Sequence, residues 1–123
     1  MCRSVILCLL LCSNVVAHEM TPTYPKWEVS YIEGVQKTTM KMFNKRKDAS
    51  WYEIGIFDQE WKPISFATKN KILKIDYLGH AKFDVYINAG DVKRTEYICS
   101  TSKLRKGDSN KPMVASKICS RFK

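Results

Sequence analysis

Residues 51–87 read WYEIGIFDQEWKPISFATKNKILKIDYLGHAKFDVYI. The run opens and closes on strands. At its start, Tyr52, Ile54 and Ile56 fall on one face. At its end, Phe83, Val85 and Ile87 alternate with Lys82, Asp84 and Tyr86. A period of two marks a strand with one side buried. Between the two, Asp58, Gln59 and Glu60 read as a turn. Pro63 makes 61–66 an edge strand or a bend, because proline has no N–H to give a ladder. Residues 72–75 are a short strand, and Leu78, Gly79 and His80 break the chain. On the first strand either Trp51 or the Tyr52, Ile54, Ile56 trio faces inward. The trio is the better core face, which leaves Trp51 and Phe57 beside Glu53 and Gly55 as an outward patch. That patch either binds a partner or is covered by the rim of the domain.

Upstream, Trp27, Val29 and Tyr31 alternate with Glu28 and Ser30, predicting a half-buried strand ended by Gly34. Thr38, Met40 and Met42 alternate with lysines and Thr39, and 44–48 (NKRKD) is a charged turn. Downstream, 88–91 is a turn by composition, and 96–100 and 114–122 are the last two strands. Residues 103–112 (KLRKGDSNKP) form a basic, flexible loop between them. About seven short strands with frequent turn signals, and no helical period over three turns, predict an all-β antiparallel sandwich.

The N-terminus carries a basic start at Arg3, an apolar run over 5–11, and the small residue Ala17 after two valines. This pattern predicts a secretory signal peptide over 1–17, and 5–11 is too short to span a bilayer. The domain is then 18–123, exported to a periplasm or the cell exterior, with no membrane span. Three of the five cysteines fall in the signal. Cys99 and Cys119 remain, and in an oxidising compartment they read as one disulfide, the alternative being two buried thiols. Closing that loop stabilises the fold by about 3 kcal/mol.

Lysine and arginine total 21 against 12 aspartates and glutamates, a formal charge of +9. Clusters lie at 41–47 and toward the C-terminus. They suit an anionic surface or ligand, or serve as a solvated face that keeps the protein in solution. No nucleic-acid motif accompanies them. Cleavage after Ala17 gives His18 a free amine beside its imidazole, a Cu(II)-type donor set with His80 as a third ligand; the alternative is a frayed terminus. The carboxylates are scattered, and no nucleophile, zinc, phosphate-loop or dinucleotide motif is present. No catalytic residue, metal site or cofactor is therefore assigned.

The segment F-A-T followed by I-L-K-I and F-x-V-Y-I, then Glu96-Tyr97-Ile98, a basic loop and an alternating last strand, resembles the N-terminal domain of PapD-like periplasmic pilus chaperones. The resemblance runs over roughly 26–123. It implies an immunoglobulin-like sandwich and a non-enzymatic task. Such a chaperone lends its last strand to a pilus subunit that lacks one, by β-strand addition. Here the resemblance assigns Val114, Ile118 and Phe122 to the partner-facing side, with Ala115 and Cys119 toward the chain's own core. Lys117, with Arg121 second, takes the subunit's terminal carboxylate. No arginine lies on the first strand to match, and only Lys26 is near. The partners implied are a pilus subunit and an outer-membrane usher. The alternative function is a secreted basic sandwich that binds an anionic surface or ligand.

Overall fold

The computed structural model describes residues 18–103 and 115–122. The expected signal segment, all but the first residue of the basic loop, and Val114 lie outside the described residues. Among the described residues nine strands form two antiparallel sheets: β1 (Glu19–Thr21), β2 (Glu28–Val29), β3 (Val35–Phe43), β4 (Trp51–Phe57), β5 (Ala67–Thr68), β6 (Ile72–Lys74), β7 (His80–Asn88), β8 (Tyr97–Lys103) and β9 (Lys117–Arg121). One sheet runs β1-β3-β7-β5, with β2 also on β3; the other runs β6-β4-β8-β9. Successive strands β3 and β4 lie in different sheets, as do β7 and β8. This is the arrangement of an immunoglobulin-like sandwich.

The alternation read from the sequence sets the core. Met40 and Met42 of β3, Tyr52, Ile54 and Ile56 of β4, Phe83, Val85 and Ile87 of β7, and Ile98 of β8 all point between the sheets. The trio of β4 faces inward, as expected. The outward side of Gly55 is covered by the ring of Phe57, which a Cβ there would meet at 2.8 Å.

Two segments change sheet. The first descends from β1, which pairs with β3 through Met20↔Met42. Pro22 has no N–H to extend that ladder. Beyond it Thr23 leaves β3, and its carbonyl accepts the amide of Arg121 on β9 at 3.1 Å. The chain then returns to β3 as β2. The second is 67–74, where β5 pairs with β7 and β6 with β4. Pro63 bridges to Phe57, so 61–66 is a bend against the end of β4.

The expected half-buried strand over 27–31 is corrected. Only Glu28 and Val29 pair, and Val29 and Tyr31 are 86% and 84% exposed. The reason is tertiary. Trp27 leaves the alternation to stack on Phe122 at 4.8 Å and to donate its indole N–H to Thr95. Gly34, at φ 75°, turns the chain straight into β3. The turn expected at 88–91 is instead a 3₁₀ helix, Ala89–Arg94.

Cys99 and Cys119 are joined, and they sit opposite each other in the β8–β9 ladder with Cα atoms 4.0 Å apart. That is the close, non-hydrogen-bonded type of pair. Substituting both cysteines with serine is expected to lower unfolding free energy by about 3 kcal/mol, measured by denaturant titration of the oxidised and substituted proteins.

Candidate functional site

Among the described residues the last strand is one of the sheet edges that leave main-chain groups open. The amide of Phe122 bonds the carbonyl of Glu96, and the amide of Ser102 bonds the carbonyl of Ser116, each at 2.9 Å. Even-numbered residues of the segment 116–122 therefore give their main-chain groups to β8. In an antiparallel ladder the residues between them turn theirs the other way. Lys117, Cys119 and Arg121 thus direct amides and carbonyls away from β8. Among the described residues β9 is one edge of its sheet, and β6 is the other. Thr23 takes only the Arg121 amide.

The same register sets the side chains. Ser116, Ile118, Ser120 and Phe122 turn inward. Ile118 and Phe122 are half-buried and pack against the chain's own core, while Ala115, Lys117, Cys119 and Arg121 are exposed. The expected division of faces is reversed, because Ser120 lies opposite Ile98 and Ile118 opposite Ser100, and both partners point between the sheets. Ile118 and Phe122 remain at the rim, where a strand added to β9 would lie against them.

The two expected cations have different surroundings. Arg121 is paired with Glu96 at 2.7 Å. Lys117 has no carboxylate partner among the described residues. Its Nζ lies 4.7 Å from the ring centre of Phe57 and 4.9 Å from that of Trp61, a cation–π seat. Trp61 stacks on Tyr97 at 4.0 Å and is half exposed, at φ 63°. Residues 58–62 are held by Asp58, whose Oδ1 accepts the amides of Glu60 and Lys62. Trp51, on the same outer face, carries Lys74 over its ring.

A buried polar network lies behind this edge, and sequence reasoning missed it. His18 is 1% exposed. Its Nε2 meets Ser100 Oγ at 2.7 Å, and its Nδ1 meets Ser116 Oγ at 3.2 Å. Arg46 donates to Ser116 at 3.0 Å and forms a two-pronged pair with Asp48 at 2.9 and 2.6 Å. Tyr52 donates its hydroxyl to Asn44 at 2.6 Å, and burial pushes that phenol up to about 12. Burial also lowers the His18 imidazole below 6.5, with the Arg46 charge acting in the same direction. The hydrogen bond from Arg46 holds the Asp48 carboxyl below 3.8.

His18 and His80 do not converge. His80 stacks on Phe43 at 4.4 Å, whereas His18 is turned between the sheets with both nitrogens engaged. The copper reading is thereby set aside. The Ser100–His18 contact has the length of a nucleophile–base pair, but both residues are closed to solvent.

No family model matches the sequence, and no curated protein matches it. A solved structure described as the periplasmic chaperone SfaE superposes with a TM-score of 0.52 at 14% identity, over 86% of this chain. The fold is PapD-like. The chain spans 56% of the chaperone's length. A FixG-related protein from Vibrio parahaemolyticus aligns with 88% of this chain and 96% of its own, at 11% identity and a TM-score of 0.47. Among the described residues no helix is long and apolar enough to cross a membrane.

The network makes stability depend on pH in a definite direction. A histidine held below its ordinary value binds less proton folded than unfolded. Its contribution is full above pH 6.5 and is lost as pH falls toward the folded value. Asp48 behaves likewise one step lower: its contribution is present above 3.8 and lost as pH falls through the depressed value. Thermal midpoints are expected to decline in two stages on acidification, and His18→Gln to remove the upper stage.

Proposed function

We propose that this chain is an exported, non-enzymatic binding domain that pairs its last strand with an extended segment of a protein partner by β-strand addition. The observation that carries the reading is the open edge of β9, with Lys117 and Cys119 presenting main-chain groups outward on a PapD-like fold. Main-chain pairing supplies the affinity, and the flanking side chains supply the choice of partner. Ile118 and Phe122 lie against the inward side of the added strand. Lys117 stands on its outward side and meets a carboxylate there, with Arg121, already paired with Glu96, second. The PapD-like fold makes a pilus subunit the partner of choice, an outer-membrane usher the next, and the periplasm or cell exterior the site of action.

The second reading, binding of an anionic surface through the basic clusters, has less support. Lys45, Arg46, Lys62, Arg94, Lys103 and Arg121 each already face a carboxylate of the chain. What favours it is Lys117, which, like Lys41 and Lys47, faces no carboxylate among the described residues.

The readings separate on Lys117→Pro. Proline removes an amide that points away from β8, so the internal ladder is left whole while the edge is blocked. Extended peptides with alternating apolar residues are expected to bind the native protein in a way that survives a rise in salt to about 0.5 M. Lys117→Pro is expected to weaken that binding at least tenfold with little change in unfolding midpoint. Binding that collapses with salt, and is lost equally in Lys117→Gln, supports the anionic-ligand reading instead.

A further inference from the structure

The N-terminal segment is tied down in an unusual way. It contributes one core side chain, Met20, and three paired positions on β3. Past Pro22 it makes the Thr23–Arg121 bond to β9. Its surface ion pair, Glu19 with Lys45, is exposed and adds little. The remaining anchor is His18, with its ring buried between the sheets. Below the segment, Pro25 is buried and Trp27 is stacked on Phe122, so the chain is fixed again there. A short stretch with few apolar anchors between two fixed points is the kind that opens locally.

The groups facing His18 come from every neighbouring element. Tyr52 of β4 lies against the ring at 4.4 Å. Ser100 of β8 and Ser116, just before β9, take its two nitrogens. Arg46, from the β3–β4 connection, binds the same Ser116 hydroxyl. Asp48 is turned to Arg46, and on the segment itself Glu19 is turned outward to Lys45. Among the described residues the charge that faces the imidazole from the rest of the fold is a guanidinium, and no carboxylate contacts the ring; cleavage after Ala17 would add the His18 amine, a further cation. A proton taken from solvent by His18 would place two cations on one serine in a dry site, where like charges are least screened.

We infer that residues 18–23 are an acid-released latch: protonation of His18 against Arg46 detaches the segment from β3 and β9 and extends the open edge by the Arg121 position. The segment leaves, and the proton is accommodated, because outside the sandwich His18 is solvated and has no cation beside it. The edge then presents Lys117, Cys119 and Arg121 in a row. This goes beyond strand addition and is a property of the free protein, so it stands or falls without any partner.

Amide hydrogen exchange, corrected for intrinsic rates, tests it on the free full chain near pH 7.5 and near pH 5. The amides of Glu19 and Thr21, which bond β3, and of Arg121 are expected to lose protection at least tenfold at the lower pH, while β4 and β7 keep theirs. His18→Gln is expected to hold protection at both. Equal loss in His18→Gln, or no selective loss in the native chain, overturns the latch. If His18→Gln does not fold, NMR titration of the His18 ring in the native protein decides. Protonation that coincides with loss of Thr21 and Arg121 protection supports the latch. Protonation with both amides still protected overturns it.

Discussion

The pairing of β8 with β9, pinned at Cys99 and Cys119, decides which atoms of the last strand meet the core and which meet solvent. Side chains alternate with period two, so a slip of one residue would exchange the faces of the whole strand. With the cysteines opposite each other, Ile118 and Ser120 must turn inward, and Lys117 and Arg121 must turn out. The same register spends the amides and carbonyls of the even-numbered residues on β8 and leaves those of the odd-numbered ones at the edge. The disulfide thus sets both the packing of β9 and its capacity to pair.

Around that hairpin the sandwich divides its interior by chemistry. The middle is filled by methionine, isoleucine, valine and phenylalanine from β3, β4, β7 and β8. Toward the end where β8 and β9 are joined, the inward positions become Ser100, Ser102 and Ser116. Their hydroxyls serve His18 and Arg46. Among the described residues no buried side-chain nitrogen or oxygen lacks a partner, the condition under which a buried polar network fixes one arrangement. The network joins β1, the β3–β4 connection and the last hairpin, so the N-terminal segment is positioned by the same strands that form the open edge.

Much of the architecture was legible in the sequence because strong alternation survives into buried strands. Met40 and Met42, the β4 trio, and Phe83, Val85 and Ile87 all lie where their spacing places them. The departures have local reasons. Trp27 belongs to a strand by pattern, but a long-range stack on Phe122 pulls it away. The faces of β9 were assigned from a resemblance, whereas the pairing with Ile98 and Ser100 determines them. His18 and Ser116 are far apart in the chain, and no spacing rule links them. Only the fold brings a histidine just before β1, a loop arginine and three serines together.

The central claim is that β9 offers an open edge set by its register. Residue-resolved amide exchange across 116–122 at neutral pH tests it most directly. The account predicts slow exchange at Ile118, Ser120 and Phe122, whose amides bond β8, and fast exchange at Lys117 and Cys119, whose amides face outward. Lys117 and Cys119 amides as slow as their neighbours would mean that the edge is already covered, and would contradict it.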